Sequence, residues 1–284
     1  MEAGVGCSNR RSSGGEKKEL FHVIHKVPAG DSPYVRAKHL QLVEKDSDAA
    51  IIWFWRAINA GDRVDSALKD MAVMMKQQDR AEEAIEAIRS FRHLCSNQAQ
   101  ESLDNLLIDF YKKCGMVEEQ IELLKQKLRK IYLGEAFNGK TTKTARSHGK
   151  KFQVSIKQET SRVLGNLGWA YMQRRDFAAA EAVYRKAQAI DPDANKACNL
   201  GICLMRRGDF AGARRVLLDV VGRRLTGCGE GKAESRAMEL LWEMESRRPS
   251  SPAEEEAAVS PSSLRSRRLP IFEEISTYRD QMAF

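Results

Sequence analysis

Between Asn166 and Pro192 the chain reads NLGWAYMQRRDFAAAEAVYRKAQAIDP, and the order of small and large residues there leaves little choice of fold. Apolar residues recur at helical spacing on both sides of Arg175-Asp176, a polar break that ends one periodic run and opens another. Two short amphipathic helices folded back on each other satisfy that pattern. Helix backbones approach closely only where side chains are small, which puts Gly168 and Ala180 at the crossing and Tyr171 and Tyr184 beside it. The pattern returns 33 residues on: Leu167-Gly168 becomes Leu200-Gly201, Tyr171 becomes Leu204, Arg175-Asp176 becomes Gly208-Asp209, Ala180 becomes Ala213 and Tyr184 becomes Leu217. A hairpin that repeats buries its apolar face against its neighbours, so a stack of hairpins is expected.

The spacing fits the tetratricopeptide signature, Trp-x2-Leu-Gly-x2-Tyr, then Ala-x3-Phe, then Pro, with a period of about 34 residues. Leu164, Leu167, Gly168, Tyr171, Ala180, Tyr184 and Pro192 fill those slots, with only Leu for Trp and Tyr for Phe departing. Upstream, Ala50, Phe54 and Ala57, then Ala84, Ile88 and Phe91, then Gln120, Leu124 and Lys127 mark second helices, while Ala72 and Met75, and Ile108 and Tyr111, mark first helices. The expected fold is therefore all-α, a tetratricopeptide-type helical-hairpin solenoid of about five repeats, near 31–64, 65–98, 99–132, 161–193 and 194–227.

Around this array the expected organisation is a flexible segment over 1–30, hairpins over 31–132, an insertion over 133–160, hairpins over 161–227, a capping helix over 228–247, a flexible linker over 248–268 and an apolar tail over 269–284. The insertion carries three Gly from Gly134 to Gln158 and a cluster of cations, Lys140, Lys143, Arg146, Lys150 and Lys151, with no acid among them, and reads as a basic loop on the solenoid surface. A loop of that length inside an array is functional or disordered more often than incidental. Met238, Leu241, Trp242 and Met244 recur at helical spacing and suit a cap. Ser, Pro and charge dominate the linker. In the tail, Phe272, Ile275 and Tyr278 make one face of a short helix that can dock on its own solenoid or in a partner's groove.

Composition narrows the function classes. With 30% charged and 42% hydrophobic residues, and no apolar run of about 18 residues, the chain reads as a soluble helical protein without a membrane span. Its start, MEAGVGCSNRRSSGGEKK, has no apolar core for a secretory signal, which implies the cytosol or nucleus. The six cysteines show no CxxC spacing and read as reduced packing residues. A formal charge of +8 suits an acidic partner, nucleic acid or nuclear import as well as a solvated basic surface. Sequence-specific nucleic-acid reading is disfavoured, because no aromatic interleaving accompanies the charge.

No phosphate-binding loop, dinucleotide fingerprint, HExxH or GxSxG motif is present, so no catalytic residue, cofactor or metal is expected. His22 and His25, three apart, leave an enzyme or metal-binding protein as a distant alternative, but no acid or thiol completes a metal set and they read as ordinary residues of the entry segment. The pairs Glu82-Glu83 and Glu118-Glu119 stand at second-helix starts, where the helix dipole favours anions. The first helices of a solenoid line its concave surface, and the positions facing it are Arg162, Gly165, Trp169 and Met172 on one hairpin and Asn195, Cys198, Asn199, Ile202, Met205 and Arg206 on the next. Trp169 is either a binding hot spot or a packing residue against the neighbouring repeat. Gly165 and Trp169 do not fit the Lys and Asn pattern of repeats that grip C-terminal carboxylates. Thr141, Thr142, Thr144 and Ser147 make the basic insertion a candidate for phosphorylation.

Several stretches carry a more specific likeness: HKVPAGDSPYVRAKHLQLVEKD, DRVDSALKDMAVMMKQQDRAEEAIEAIRSFRHLC, AQESLDNLLIDFYKKCG, LGEAFNGKTTKTARSHGKKFQV, the 159–201 hairpins and RRLPIFEEISTYRDQMAF. Together they resemble the plant tetratricopeptide family of sulfur-deficiency-induced and male-sterility or pollenless-type proteins, over about 20–221 and the tail, with 29–158 closer to the sulfur branch. The resemblance implies a non-enzymatic nuclear scaffold that works through regulatory proteins such as transcription factors and restrains sulfur-rich specialised metabolism under sulfur limitation. The pollenless branch implies instead an adaptor of meiotic cell-cycle exit.

Overall fold

The computed structural model describes residues 27–147, 150–222, 224–225 and 231–246. His22 and His25, the linker over 248–268 and the tail residues Phe272, Ile275 and Tyr278 lie outside the described residues. Eleven helices are described: α1 (Pro33–His39), α2 (Ser47–Asn59), α3 (Val64–Gln77), α4 (Ala81–Phe91), α5 (Asn97–Lys113), α6 (Val117–Tyr132), α7 (Ile156–Gln173), α8 (Phe177–Ile190), α9 (Ala194–Arg206), α10 (Phe210–Val221) and α11 (Lys232–Ser246). A π-helical turn, Leu40–Glu44, prolongs α1. The fold is an all-α solenoid in which α1–α2, α3–α4, α5–α6, α7–α8 and α9–α10 form five successive hairpins and α11 packs on α9 and α10.

Each hairpin reverses in the same way. One residue of left-handed backbone sits between the two helices: Lys45, Asp79, Gly115, Arg175 and Gly208, spaced 34, 36, 60 and 33 residues apart. The long interval marks the insertion. Where an acid follows the reversal, it caps the second helix: Asp46, Asp176 and Asp209 accept from the N–H groups of Ala49, Ala179 and Gly212 at 3.0, 3.0 and 2.8 Å. The Arg175-Asp176 break is thus a helix stop followed directly by a helix start.

Close approach at the crossings holds the paired helices in register. A Cβ on Gly168 would stand 2.8 Å from the Tyr184 ring, and one on Gly201 2.8 Å from Leu217 Cδ2. Tyr184 and Leu217 are fully buried, as are the small residues Ala180, Ala187 and Ala213. The main core runs from Tyr34 to Met244, and a smaller cluster of Ala194, Ala197, Cys198, Leu217 and Val220 is closed by Ala233 and Ala237 of α11. Among first helices α3 packs on α5 and α7 on α9, and α9 packs on α11, whereas α1 with α3 and α5 with α7, like the second helices with each other, make at most marginal backbone contact. Where first helices touch, they occupy the tighter side of the stack.

The insertion is a correction to the expected loop. After α6, Ala136–Gly139 forms a 3-10 turn, and the chain then makes an antiparallel pair of strands, β1 (Thr142–Ser147) and β2 (Lys150–Ser155). Thr142 pairs with Ser155 and Ser147 with Lys150, so β2 runs straight into α7 through the capping box of Ser155 and Gln158. The helix consequently begins at Ile156, a turn earlier than the repeat signature places it.

Gly168→Ala is expected to destabilise the fold by about 1–3 kcal/mol, because the Tyr184 ring is enclosed and cannot move away from the added methyl. Gly165→Ala is its control: the new Cβ would meet only the flexible Lys196 stem at 3.5 Å, so a gain of about 0.5–1 kcal/mol from helix propensity is expected. Urea unfolding monitored by circular dichroism measures both.

Candidate functional site

The root of the β-hairpin is fixed by one aromatic residue. Phe137 and Asn138 both take left-handed backbone, with φ of 57° and 54°, which turns the chain back toward the helices and buries the Phe137 side chain in the main core. Its N–H donates to Glu101 Oε1 of α5 at 3.3 Å. Lys143, on β1, then reaches inward, with its ammonium 4.4 Å from the centre of the Phe137 ring and 3.6 Å from Glu159 Oε1.

Glu159, in the first turn of α7, is the node of this arrangement. Its carboxylate takes two hydrogen bonds from Arg162, at 2.9 Å from Nε and 2.8 Å from Nη2, and lies 4.0 Å from the ammonium of Lys127 on α6. Asn105 Oδ1 of α5 accepts from Lys127 at 2.9 Å and from Arg162 Nη2 at 3.0 Å. One buried carboxylate and one amide thus tie together α5, α6, α7 and β1. Burial works against the charge on Glu159, but the Arg162 hydrogen bonds and the cations Arg162, Lys143 and Lys127 outweigh it and hold the carboxyl below its usual value of 4.5. For Lys127 burial prevails over the pull of Glu159 and brings the ammonium down to about 8.

Between the hairpin and the inner helices lies an open cleft of about 1010 Å³. Lys69 of α3, Asn105 and Asp109 of α5 and Arg162 of α7 line it, and Thr142, Lys143, Thr144 and Ala145 of β1 form the facing wall with Gln153. Asp109 is paired with Lys76 at 2.8 Å, and Glu101 holds the Phe137 N–H, whereas Lys69 and Lys140 make no ion pair with any described residue. The cleft is cationic.

Of the residues singled out in the sequence, Arg162, Lys140 and Lys143 line this cleft. Lys151 is exposed on β2 beside Phe152, while Arg146 and Lys150 belong to β1 and β2. Trp169 is half-buried, with the ammonium of Lys112 on α5 4.2 Å from its ring centre, so it meets a neighbouring hairpin through a cation–π contact. Met172 and Met205 are half-buried against the core, and Asn195 and Arg206 are exposed. Asn199 donates to the Tyr184 hydroxyl at 3.0 Å and accepts from Arg236 of α11 at 2.9 Å. Cys198 does not face a groove: α11 lies over it, and its thiol donates to the Ala233 carbonyl at 3.5 Å.

Sequence reasoning missed Lys69, Asn105, Asp109, Lys112, Phe137 and Glu159. Helical spacing from the second-helix anchors places Asn105, Asp109 and Lys112 on the inner face, so their part was recoverable from the repeat. The contributions of Phe137 and Glu159 depend on how the insertion folds back, which no local pattern states. A strand signal was present, however, in the alternation of Thr142, Lys143, Thr144 and Ala145 opposite Phe152, Gln153 and Val154.

Comparisons with known proteins agree with this architecture. A tetratricopeptide repeat profile matches residues 161–194, the α7–α8 hairpin and its exit. The chain is 61% identical to Protein SULFUR DEFICIENCY-INDUCED 1 of Arabidopsis thaliana, over 93% of this chain and 92% of that protein. It is 60% identical to Protein SULFUR DEFICIENCY-INDUCED 2, over 95% and 97%. Protein POLLENLESS 3-LIKE 2 of the same plant is 62% identical over 79% of this chain and 53% of its own length. No described helix is long and apolar enough to cross a membrane.

Glu159→Gln is expected to lower stability by about 2 kcal/mol at pH 7, since it removes the carboxylate that Lys127, Lys143 and Arg162 share. The folded-state pKa of Glu159 lies below its unfolded value, so the contribution is complete above about 4.5 and is lost as the pH falls through the folded-state value. Urea midpoints of wild type and variant should therefore differ at neutral pH and converge in acid. A constant difference across that range would remove the charge of Glu159 as its cause.

Proposed function

Because the chain belongs to the plant tetratricopeptide family that includes the SULFUR DEFICIENCY-INDUCED and POLLENLESS 3 proteins, we propose that it is a non-enzymatic interaction scaffold that adjusts sulfur use under sulfur deficiency, acting in the nucleus through regulatory proteins such as transcription factors. The observation that carries the scaffold reading is the inner face itself. Between α3, α5 and α7 it opens into a cationic cleft that a β-hairpin walls on one side. A partner segment with negative charge has there both a surface and an electrostatic reason to dock. The sulfur reading is supported by relatives named for sulfur deficiency that match this chain over 92% and 97% of their own lengths. The formal charge of +8 supports a nuclear location.

A cell-cycle adaptor of the pollenless type is the second reading. It is favoured by the 62% identity to Protein POLLENLESS 3-LIKE 2, of which this chain spans about half. Affinity capture with mass spectrometry from sulfur-replete and sulfur-starved plant tissue separates the two, with wild type compared against a Trp169→Ala, Arg206→Ala double variant. Transcription factors captured by wild type and lost in the folded variant are the expected result. Ubiquitin-ligase subunits of the cell cycle in their place would favour the adaptor, and an unchanged partner set would remove the groove assignment.

A further inference from the structure

The β-hairpin has a feature that a loop would not have: a free strand edge turned toward the cleft. The Ile156 N–H donates to the Thr141 carbonyl at 3.1 Å, one step beyond the pairing of Thr142 with Ser155. Antiparallel pairs alternate between hydrogen-bonded and non-hydrogen-bonded, so Lys143–Val154 and Ala145–Phe152 exchange ladder bonds, while the backbone groups of Thr142 and Thr144 point away from β2. Both threonines are exposed and line the cleft, and their outward N–H and C=O groups have no partner among the described residues. The edge does not move freely, because Lys143 pins β1 to Glu159 and to the Phe137 ring.

We infer that the outer edge of β1 receives an extended acidic segment of a partner protein as a third strand, laid along the cleft between the hairpin and the inner helices. The inference rests on the scaffold reading above and names the chemistry of its ligand. Main-chain hydrogen bonds to Thr142 and Thr144 supply affinity that is indifferent to side chains, as in other cases of strand addition to a sheet edge. Charge supplies the selection. Lys69 and Lys140, which make no ion pair among the described residues, and Lys143 and Arg162, which share the Glu159 carboxylate, face a strand whose side chains alternate. Carboxylates at every second position of the incoming strand would meet these cations. Exposed sheet edges are usually blunted by charge or proline; β1 has no proline, and of its two charged residues Lys143 is turned inward and Arg146 lies beyond Thr144, which leaves the edge at Thr142 and Thr144 open.

The probe is a fluorescein-labelled peptide of about eight residues alternating Glu and Val, long enough to span β1, titrated into the full chain by fluorescence anisotropy. Thr144→Pro removes an outward N–H and leaves the backbone ladder to β2 intact, at a position where strands tolerate proline; it also removes the hydroxyl that accepts from Gln153 Nε2 at 3.0 Å, a loss that Thr144→Val reproduces as its control. It is expected to weaken the probe at least about tenfold, the loss of one or two hydrogen bonds. The same probe with alternate amides N-methylated should fail on wild-type protein, which tests the edge without altering the fold, and bound probe should slow hydrogen exchange at the Thr142 and Thr144 amides. Lys69→Glu with Lys140→Glu should weaken binding and flatten its salt dependence. Equal affinity for Thr144→Pro and for the methylated probe would overturn strand addition, and an unchanged affinity in the charge-reversed variant would overturn the acidic ligand. Replacing Glu254, Glu255 and Glu256 by Gln tests this chain's own acidic stretch as occupant: tighter probe binding in that variant would overturn the assignment to a partner. If tissue partners are lost in Trp169→Ala, Arg206→Ala but kept in Thr144→Pro, the scaffold reading survives and this inference does not; if both variants keep every partner, both fail.

Discussion

The contact on which the rest of the molecule depends is the near collision of one helix backbone with a ring from its partner. At Gly168 there is no room even for a methyl group beside Tyr184, and at Gly201 none beside Leu217. Such proximity fixes how deeply α7 and α8, and α9 and α10, sink into each other, and hence which residues of the first helices are left over for the inner side. Van der Waals packing at this distance is unforgiving in both directions, since a gap loses contacts and an added atom strains a closed core. The buried residues of all five hairpins join in an uninterrupted core from Tyr34 to Met244.

Built upon that frame, Glu159 does a different kind of work. A buried ion cluster contributes modestly to net stability, because desolvation offsets most of the attraction. Its effect lies in selecting one arrangement. Lys127, Lys143 and Arg162 reach the same carboxylate from three elements, so its charge favours the one arrangement in which all three meet it. With Phe137 anchored in the core and Ser155 capping α7, the insertion becomes one wall of the cleft.

Most of the fold was legible because the repeat is local physics. Helical spacing of Leu164, Leu167, Tyr171, Ala180 and Tyr184 reports a helix pair whatever surrounds it, and the left-handed turns at Arg175 and Gly208 coincide with polar breaks in the pattern. The insertion was misread for the converse reason. Its strands are short, polar on one side and rich in glycine and lysine at their borders, so composition argued for a loop while alternation argued weakly for a hairpin. Cys198 was misassigned because α11 occupies the place of a next inner helix and covers it, a fact of long-range packing.

The sequence by itself determined the hairpins, their order and the side of each helix that is buried, since small and large residues at fixed spacing admit one crossing. Tertiary structure decided where the basic residues act. Lys140, Lys143 and Arg162 are far apart in the chain or unremarkable in pattern, and only the return of the β-hairpin onto α5, α6 and α7 gathers them around Glu159 and the cleft. Local periodicity encodes which face is apolar; the meeting of charges depends on distances that no local pattern carries.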